Sequence, residues 1–433
     1  MRSVLLVFSL LFLPGDGRAQ SRPEYGGFVE QSGLFYARRP NASDTFAWAE
    51  ARLHLWARAP LGGRFSVRGS WDGRLDTHRD ADRRRWLDFS QRRLHEPGGA
   101  VSELYVDAKL GRMDLRIGSQ QIRWGRADGF NPTDNAVPYG YLDLFSDARI
   151  AVPAAKADVY VGKARFEAAW FPFFTPSRLP LLGQRWFPRL PATMRAAPEP
   201  GAEPADVDLV YREGARSFPA RTLANGQWGV RYNQLVPRAE FSLSYFDGFD
   251  DLPLFHASAV ADRGSARPRA SVVLDREYHR VRIVGADFAS SLSRFGIRGE
   301  AAYFDRSAPN QRDYALFVFG IDRAWGDWSA IVQLAGQHAP AAEGAAPVFP
   351  ELGMRSTLLF RIERTLSPAA SFEVKGAARL RDGDFMLRPL YTRSLSNRWR
   401  LRLGATLIGG PEEGFFGQYR DSSRAELELR YTF

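Results

Sequence analysis

Cysteine is absent from the 433 residues, which excludes a disulfide framework, a thiolate metal centre and a lipid-modified cysteine. Lysine is scarce, standing only at 109, 156, 163 and 375, so arginine supplies nearly all the positive charge behind a formal net charge of +10. That charge is scattered, without a basic cluster or an RNA-binding motif, and nucleic acid is not expected as a partner. Past the leader no apolar run approaches about 18 residues, the length a helical membrane span requires. Histidine is also sparse. His54, His78, His95, His256, His279 and His338 lie apart, with no HExxH or other close metal spacing, and neither a GxSxG elbow nor a P-loop occurs. No catalytic residue, metal site or cofactor is therefore expected. The enzyme alternative, an outer-membrane lipase or protease, would need a serine and a histidine to meet across strands, with His279 beside Glu277 the first place to look. Asp247, Asp250 and Asp251 could bind a cation only if their oxygens converged; a solvated acidic loop is the simpler reading.

What is present begins with MRSVLLVFSLLFLPGDGRAQ. Arg2, the apolar run from Val4 to Leu13 and the small residues Gly17 and Ala19 form the pattern of a secretory signal peptide over residues 1–19. Residues 20–433 then form a single domain. Its dominant signal is alternation with period two. In LRLGATLI, Leu401, Leu403, Ala405 and Leu407 share one face and Arg400, Arg402, Gly404 and Thr406 the other. The final RAELELRYTF repeats the pattern, as do SELYVDAKL, RFSVRGSW, RSTLLFRIE and SFEVKGAARL.

Such ribbons either meet in a dry sandwich or face lipid around a polar lumen, and spacing distinguishes the two. Tight turns fall at residues 59–63, 110–113, 161–164, 236–239, 292–294, 325–328, 366–368 and 395–398, and they alternate with longer polar connections. The longest run near 74–100, 123–148, 172–226 and 248–270. This predicts an all-β fold: a single transmembrane antiparallel β-barrel of about 18 strands, with 16 as the alternative count, short periplasmic turns and long extracellular loops. Two places break the pattern. Parity slips between Leu274 and Leu292, and a hairpin around DVDLVY could lie within 172–226. Phe46, Trp48, Trp71, Trp170, Phe171, Trp325, Trp328, Trp399, Tyr431 and Phe433 fall at strand ends, where interfacial aromatic girdles are expected. The expected partners are outer-membrane lipid and, through the terminal Phe433, the barrel assembly machinery.

An arginine on the lipid face at the bilayer midplane costs about 2 to 4 kcal/mol, so a few misdirected strands would cancel a stability of about 5 to 15 kcal/mol. The arginine face must look inward. Its basic members are Arg52, Arg68, Lys109, Arg116, Arg165, Arg231, Arg298, Arg361, Lys375, Arg400, Arg402 and Arg430. The acidic members are Glu50, Glu103, Asp107, Glu167, Glu300, Glu363, Glu373, Glu426 and Glu428. Most of these would pair as ladders that hold the wall together. A basic surplus would draw anions into the passage.

The stretch GSQQIRWGRADGFNPTDNAVPYG, from Gly118 to Gly140, leaves the strand MDLRIGSQQ at its outer end. Here a loop could fold into the bore. Arg123 and Arg126 can grip carboxylates, Trp124 offers a face for stacking, and Gln120 can donate or accept. Equally, Asn131, Pro132, Thr133 and Asp134 spell a turn. The run of Arg116, Gly118, Gln120, Ile122, Trp124 and Gly125, followed by Asp128, Asn131, Pro132 and Asp134, resembles the strand-and-loop signature of alginate-export-type and porin-like outer-membrane proteins. Ser119 departs from it. DGFDD at 247–251 is similar to an outer-loop motif of those barrels. The resemblance implies a passive, arginine-lined outer-membrane channel for small anionic or sugar-type solutes, or for export of an acidic polysaccharide. Its constriction would involve Arg116, Gln120, Arg123, Trp124, Arg126, Asp128, Asn131 and Asp134.

Overall fold

The structure, a computed structural model, describes residues 22–38, 45–77, 81–89, 91–93, 95–143, 148–196, 203–262, 268–307, 312–339 and 355–433. The signal peptide expected over residues 1–19 lies outside them. Alternating segments leave their backbone donors and acceptors unpaired until they meet edge to edge, and eighteen of them do so in one sheet. The first nine are β1 (Glu24–Tyr36), β2 (Ala47–Gly62), β3 (Phe65–Asp76), β4 (Gly99–Leu110), β5 (Met113–Gln120), β6 (Val152–Val161), β7 (Ala164–Phe171), β8 (Gln227–Val236) and β9 (Ala239–Phe249). There follow β10 (Arg280–Leu292), β11 (Phe295–Arg306), β12 (Tyr314–Trp325), β13 (Trp328–His338), β14 (Thr357–Ser367), β15 (Ala370–Arg379), β16 (Phe385–Ser394), β17 (Trp399–Gly409) and β18 (Arg424–Thr432).

Every neighbouring pair is antiparallel. The ring closes between β18 and β1, where Phe28 lies opposite Thr432 and Tyr36 opposite Arg424, so the barrel wall itself has no open edge to recruit another chain. The count is eighteen, not sixteen. Strands of this length, rising about 3.3 Å per residue and tilted near 45°, stand roughly 28 Å tall, close to the apolar band of a membrane barrel. The turns at 63–64, 111–112, 162–163, 237–238, 293–294, 326–327, 368–369 and 395–398 share one rim, and each overlaps a turn read from the sequence. The longest connections, 77–98, 121–151, 172–226 and 250–279, share the other.

The two places where the sequence pattern breaks both lead into a second sheet. The parity slip between Leu274 and Leu292 marks a change from one sheet to another. Arg269–Glu277 pairs in parallel with Ala205–Ser217 and antiparallel with Leu254–Ala261 in a separate sheet at the outer rim, and β10 begins only at Arg280. The hairpin around DVDLVY exists, formed by Thr193–Ala196 and Ala205–Ser217, but it belongs to that outer sheet. Among the expected girdle residues, Phe46, Trp170, Trp325, Trp328, Trp399 and Phe433 are exposed. Phe171 is not, because successive side chains point to opposite faces and Trp170 takes the outward position; Phe171 packs inside, 6.2 Å from the Phe246 ring. Trp71 is buried under the 77–98 loop, its indole donating to the Trp86 carbonyl at 2.9 Å.

The outer face carries Ile117, Val230, Val284, Phe319, Val332 and Leu403, all exposed. The opposite face carries cross-strand ion pairs. Arg430, Glu30, Arg52 and Arg74 stand in one register row across β18, β1, β2 and β3, with Arg430 bonded to Glu30 and Arg74 to Glu50 at 2.6 Å. Opposite charges on neighbouring strands stabilise a pair by about 0.2 to 1 kcal/mol, so the ladder offsets what it costs to set charges against a protein wall.

Candidate functional site

The 121–151 loop reaches the polar faces of β7, β9, β10, β11 and β14 at once, through Glu167, Ser242, Asp287, Glu300 and Arg361. Only a segment inside the ring can touch all of these. The ion-paired face is thereby fixed as the inner one and the loop as its obstruction. Its departure from β5 is tightly specified. Gly118 has φ +135°, and a Cβ there would lie 2.2 Å from the Leu104 carbonyl oxygen. Gln120 is fully buried and donates to the Ala154 carbonyl at 2.9 Å, so it fastens β5 to β6 and presents nothing to the bore, contrary to the constriction role read for it.

Glu300 on β11 holds the loop. Its carboxylate accepts the backbone N–H groups of Arg126 and Ala127, the Thr133 hydroxyl at 3.0 Å and the Thr133 N–H at 3.4 Å. Gly125 makes this approach possible. Its φ is +84°, and a Cβ would stand 2.9 Å from both Glu300 carboxylate oxygens. Gly125→Ala should therefore destabilise the folded loop by about 1 to 2 kcal/mol from the left-handed backbone alone, and by more through the contact. Faster protease cleavage within 121–151, with the wall strands unaffected, is the expected result.

Arg126 is equally engaged. It bonds to Asp287 at 2.5 Å, to Ser242 at 3.0 Å and to Glu240, while Arg231 reaches the second oxygen of Asp287 at 2.8 Å. Arg298 donates to the Arg126 carbonyl at 3.2 Å and pairs with Asp322 at 2.6 Å. Trp124 is 3% exposed, donates to Glu167 at 2.8 Å and lies against Gly229, where a Cβ would come within 2.6 Å of the ring. Neither side chain is free to grip or stack a solute; both fasten the loop. Asn131 to Asp134 form the turn that their sequence suggests, with the Asp134 N–H donating to the Asn131 carbonyl at 3.1 Å. The Asp134 carboxylate accepts the Trp124 N–H at 2.9 Å and pairs with Arg149 at 2.7 Å. Burial opposes the charge of Arg149, but Tyr139 beneath its guanidinium, at 3.5 Å, and Asp134 outweigh it and hold its pKa above the usual value.

The remaining expected residues divide by location. Arg116 pairs with Asp107 at 2.7 Å over the Tyr105 ring. Arg52, Arg68, Arg400, Arg402 and Arg430 have wall carboxylates beside them. Asp247, Asp250 and Asp251 do not converge: they bond to Arg280 at 2.5 Å, to Arg306 at 3.0 Å and to Ser177. Arg123 and Asp128 line a cavity of about 620 Å³, together with Phe130 and with the expected residues Trp124, Asn131 and Asp134. Arg361, Lys375 and Arg388 line it as well, with Met386, Phe415 and Phe416. Arg361 lies opposite Lys375, and Lys375 opposite Arg388, so three cations form one row across β14, β15 and β16. Asp128 lies 3.5 Å and Glu373 3.8 Å from Arg361, and Glu426 is 3.0 Å from Arg388. Arg388 was missed in the sequence. Its signal was there, two residues after Met386 on the inward parity, but Pro389 interrupts the strand pattern.

A family model described as "Protein of unknown function (DUF1302)" matches residues 49–324. No curated protein matches the sequence. Among solved structures the chain is similar to OccAB4 of Acinetobacter baumannii, with TM-score 0.54 and 8% identity over 96% of this chain and 100% of that one. It is also similar to a BenF-like porin from Pseudomonas fluorescens Pf-5, with TM-score 0.53 and 7% identity over 96% and 98% of the two chains. At such identities the likeness is one of fold.

Proposed function

The chain belongs to the family of proteins of unknown function described as DUF1302, and from its barrel we propose that it is a passive outer-membrane channel that admits organic anions. The observation that carries this reading is the cation row of Arg361, Lys375 and Arg388 facing the cavity. Like charges in register destabilise a sheet. Two like unit charges held about 5 Å apart repel by about 3 kcal/mol at an effective dielectric of about 20. Glu373, Asp128 and Glu426 offset part of that, and a permeating anion would be drawn to the same row. Phe130, Met386, Phe415 and Phe416 add an apolar flank, which favours a solute with a ring or hydrocarbon part beside its negative group. The cavity volume falls within the range of about 300 to 1000 Å³ typical of small-molecule sites.

The exposed apolar outer face supports membrane embedding. No helix among the described residues is long and apolar enough to cross a membrane, so a crossing would be made by strands, after removal of the leader. The likeness to porins supports the same reading. We assign no catalytic role. Export of an acidic polysaccharide is a narrower version, favoured by the resemblance of the 116–134 stretch and tested by polymer release from a strain lacking the protein. The channel itself is tested in planar bilayers. Discrete conductance steps with a reversal potential that favours chloride over potassium are expected, and Arg123→Ala should weaken the preference. A refolded barrel that conducts nothing and hydrolyses lipid or peptide esters would overturn the proposal in favour of an enzyme.

A further inference from the structure

The outer sheet brings together three side chains that the channel does not use. His256 lies on Leu254–Ala261, Glu277 ends Arg269–Glu277, and His279 follows where the chain bends into β10. Register explains the meeting. Leu254 stands opposite Glu277 and His256 opposite Asp275, which leaves His256 one diagonal step from Glu277 on the same face. The bend is anchored by Tyr278, which packs on Phe174 and Phe218 with ring centroids 4.9 and 5.3 Å away, and by the His279 carbonyl, which accepts the Asp250 N–H at 2.9 Å.

We infer that His256, Glu277 and His279 form a site for a divalent transition-metal ion, zinc in the first instance, at the outer rim. The three ligand atoms lie within 4.8 Å of one another. The Glu277 Oε2 atom is 3.2 Å from His256 Nε2 and 3.4 Å from His279 Nε2. Zinc bonded at about 2.1 Å with tetrahedral angles separates its ligands by roughly 3.4 Å, so two edges of the polyhedron already have the required length. A second observation points the same way: His279 Nε2 is buried and makes no hydrogen bond among the described residues. A buried ring nitrogen without a bond is costly, and a metal between it and the carboxylate would satisfy it. Two imidazoles and one carboxylate suit zinc better than calcium or magnesium, which prefer oxygen donors. The fourth position faces solvent, since His256 is exposed. The ion would tie the edge strand of the outer sheet to the foot of β10, beside the channel mouth.

The test is calorimetric titration of tag-free, full-length protein in detergent with zinc chloride alone. One ion per chain is expected, unaffected by millimolar calcium or magnesium. His256→Ala and His279→Ala should each weaken binding by more than the roughly 10- to 100-fold that losing an outer-shell partner costs, with Glu277→Gln as the conservative third variant. His338→Ala, at the end of β13, should leave it unchanged. Heat-modifiable gel migration establishes that each variant is a folded barrel. Zinc should also slow protease cleavage between residues 250 and 279 in the unaltered chain. Absence of binding, or binding equal in the unaltered chain and both histidine variants, overturns the assignment.

Discussion

Glu300→Ala should release the 121–151 loop from the wall and leave the barrel standing. The carboxylate accepts three backbone N–H groups and one hydroxyl, and hydrogen bonds to a charged group contribute about 1.5 to 3 kcal/mol each. Truncation also strands the donors, although water can enter a polar lumen and satisfy part of them, so a net loss of about 3 to 5 kcal/mol is the reasonable scale. At 1.4 kcal/mol per factor of ten, the detached state gains at least about 100-fold in population. In single-channel recording this should appear as frequent steps to a larger conductance, and in solution as rapid cleavage within the loop. Glu363→Ala, on the inner face of β14 but without contact to the loop among the described residues, is the matching control. Should Glu300→Ala keep the conductance and protease resistance of the unaltered chain while Arg126→Ala loses them, the latch is the Arg126 and Asp287 pair and not the Glu300 carboxylate.

The contrast between Glu300 and the wall ladders explains what the sequence could and could not reveal. Alternation in segments such as LRLGATLI is legible because each residue answers to one of two environments, apolar outside and polar inside, and every strand repeats the same choice. The turns are legible for a similar reason, since they interrupt that alternation at residues such as Gly111 and Gly162. The eighteen strands followed from these two signals. The loop did not, because its conformation is set by partners far along the chain: Arg126 and Glu300 are 174 residues apart. Seen locally, Trp124 and Arg126 look like solute ligands; their burial against Glu167 and Asp287 shows them to be fasteners. Gln120 misled for the same reason, its polar head being absorbed by the Ala154 carbonyl of the next strand. The parity slip between Leu274 and Leu292 hid a change of sheet because the apolar alternation of Arg269–Glu277 is that of a half-buried strand, and nothing local distinguishes a sheet lying over the rim from one lying in the barrel.

Reversing the cation row should reverse the selectivity. Arg361 and Lys375 stand side by side in the cavity wall, and each substitution to Glu changes the charge there by two units. An anion passing about 7 Å away interacts with one unit charge by about 0.6 kcal/mol at the dielectric of water, so one reversal changes its local free energy by about 1.2 kcal/mol, close to a factor of ten. Two together give roughly 100-fold, less what salt screens. With a Debye length of about 10 Å at 0.1 M and 3 Å at 1 M, the effect should be large in dilute electrolyte and small in concentrated. Arg361→Glu with Lys375→Glu is therefore expected to convert anion preference into cation preference in 0.1 M salt, with reversal potentials converging on those of the unaltered channel at 1 M. The exchange keeps one like-charged pair between positions 361 and 375 and makes the contact with Arg388 attractive, but it also sets like charge beside Asp128 and Glu373, so heat-modifiable gel migration must first establish that the double variant is a folded barrel. A double variant that folds, conducts and retains the original preference at low salt would mean that ions pass elsewhere in the bore, and the cavity between the loop and β14 to β16 would lose its role as the selective passage.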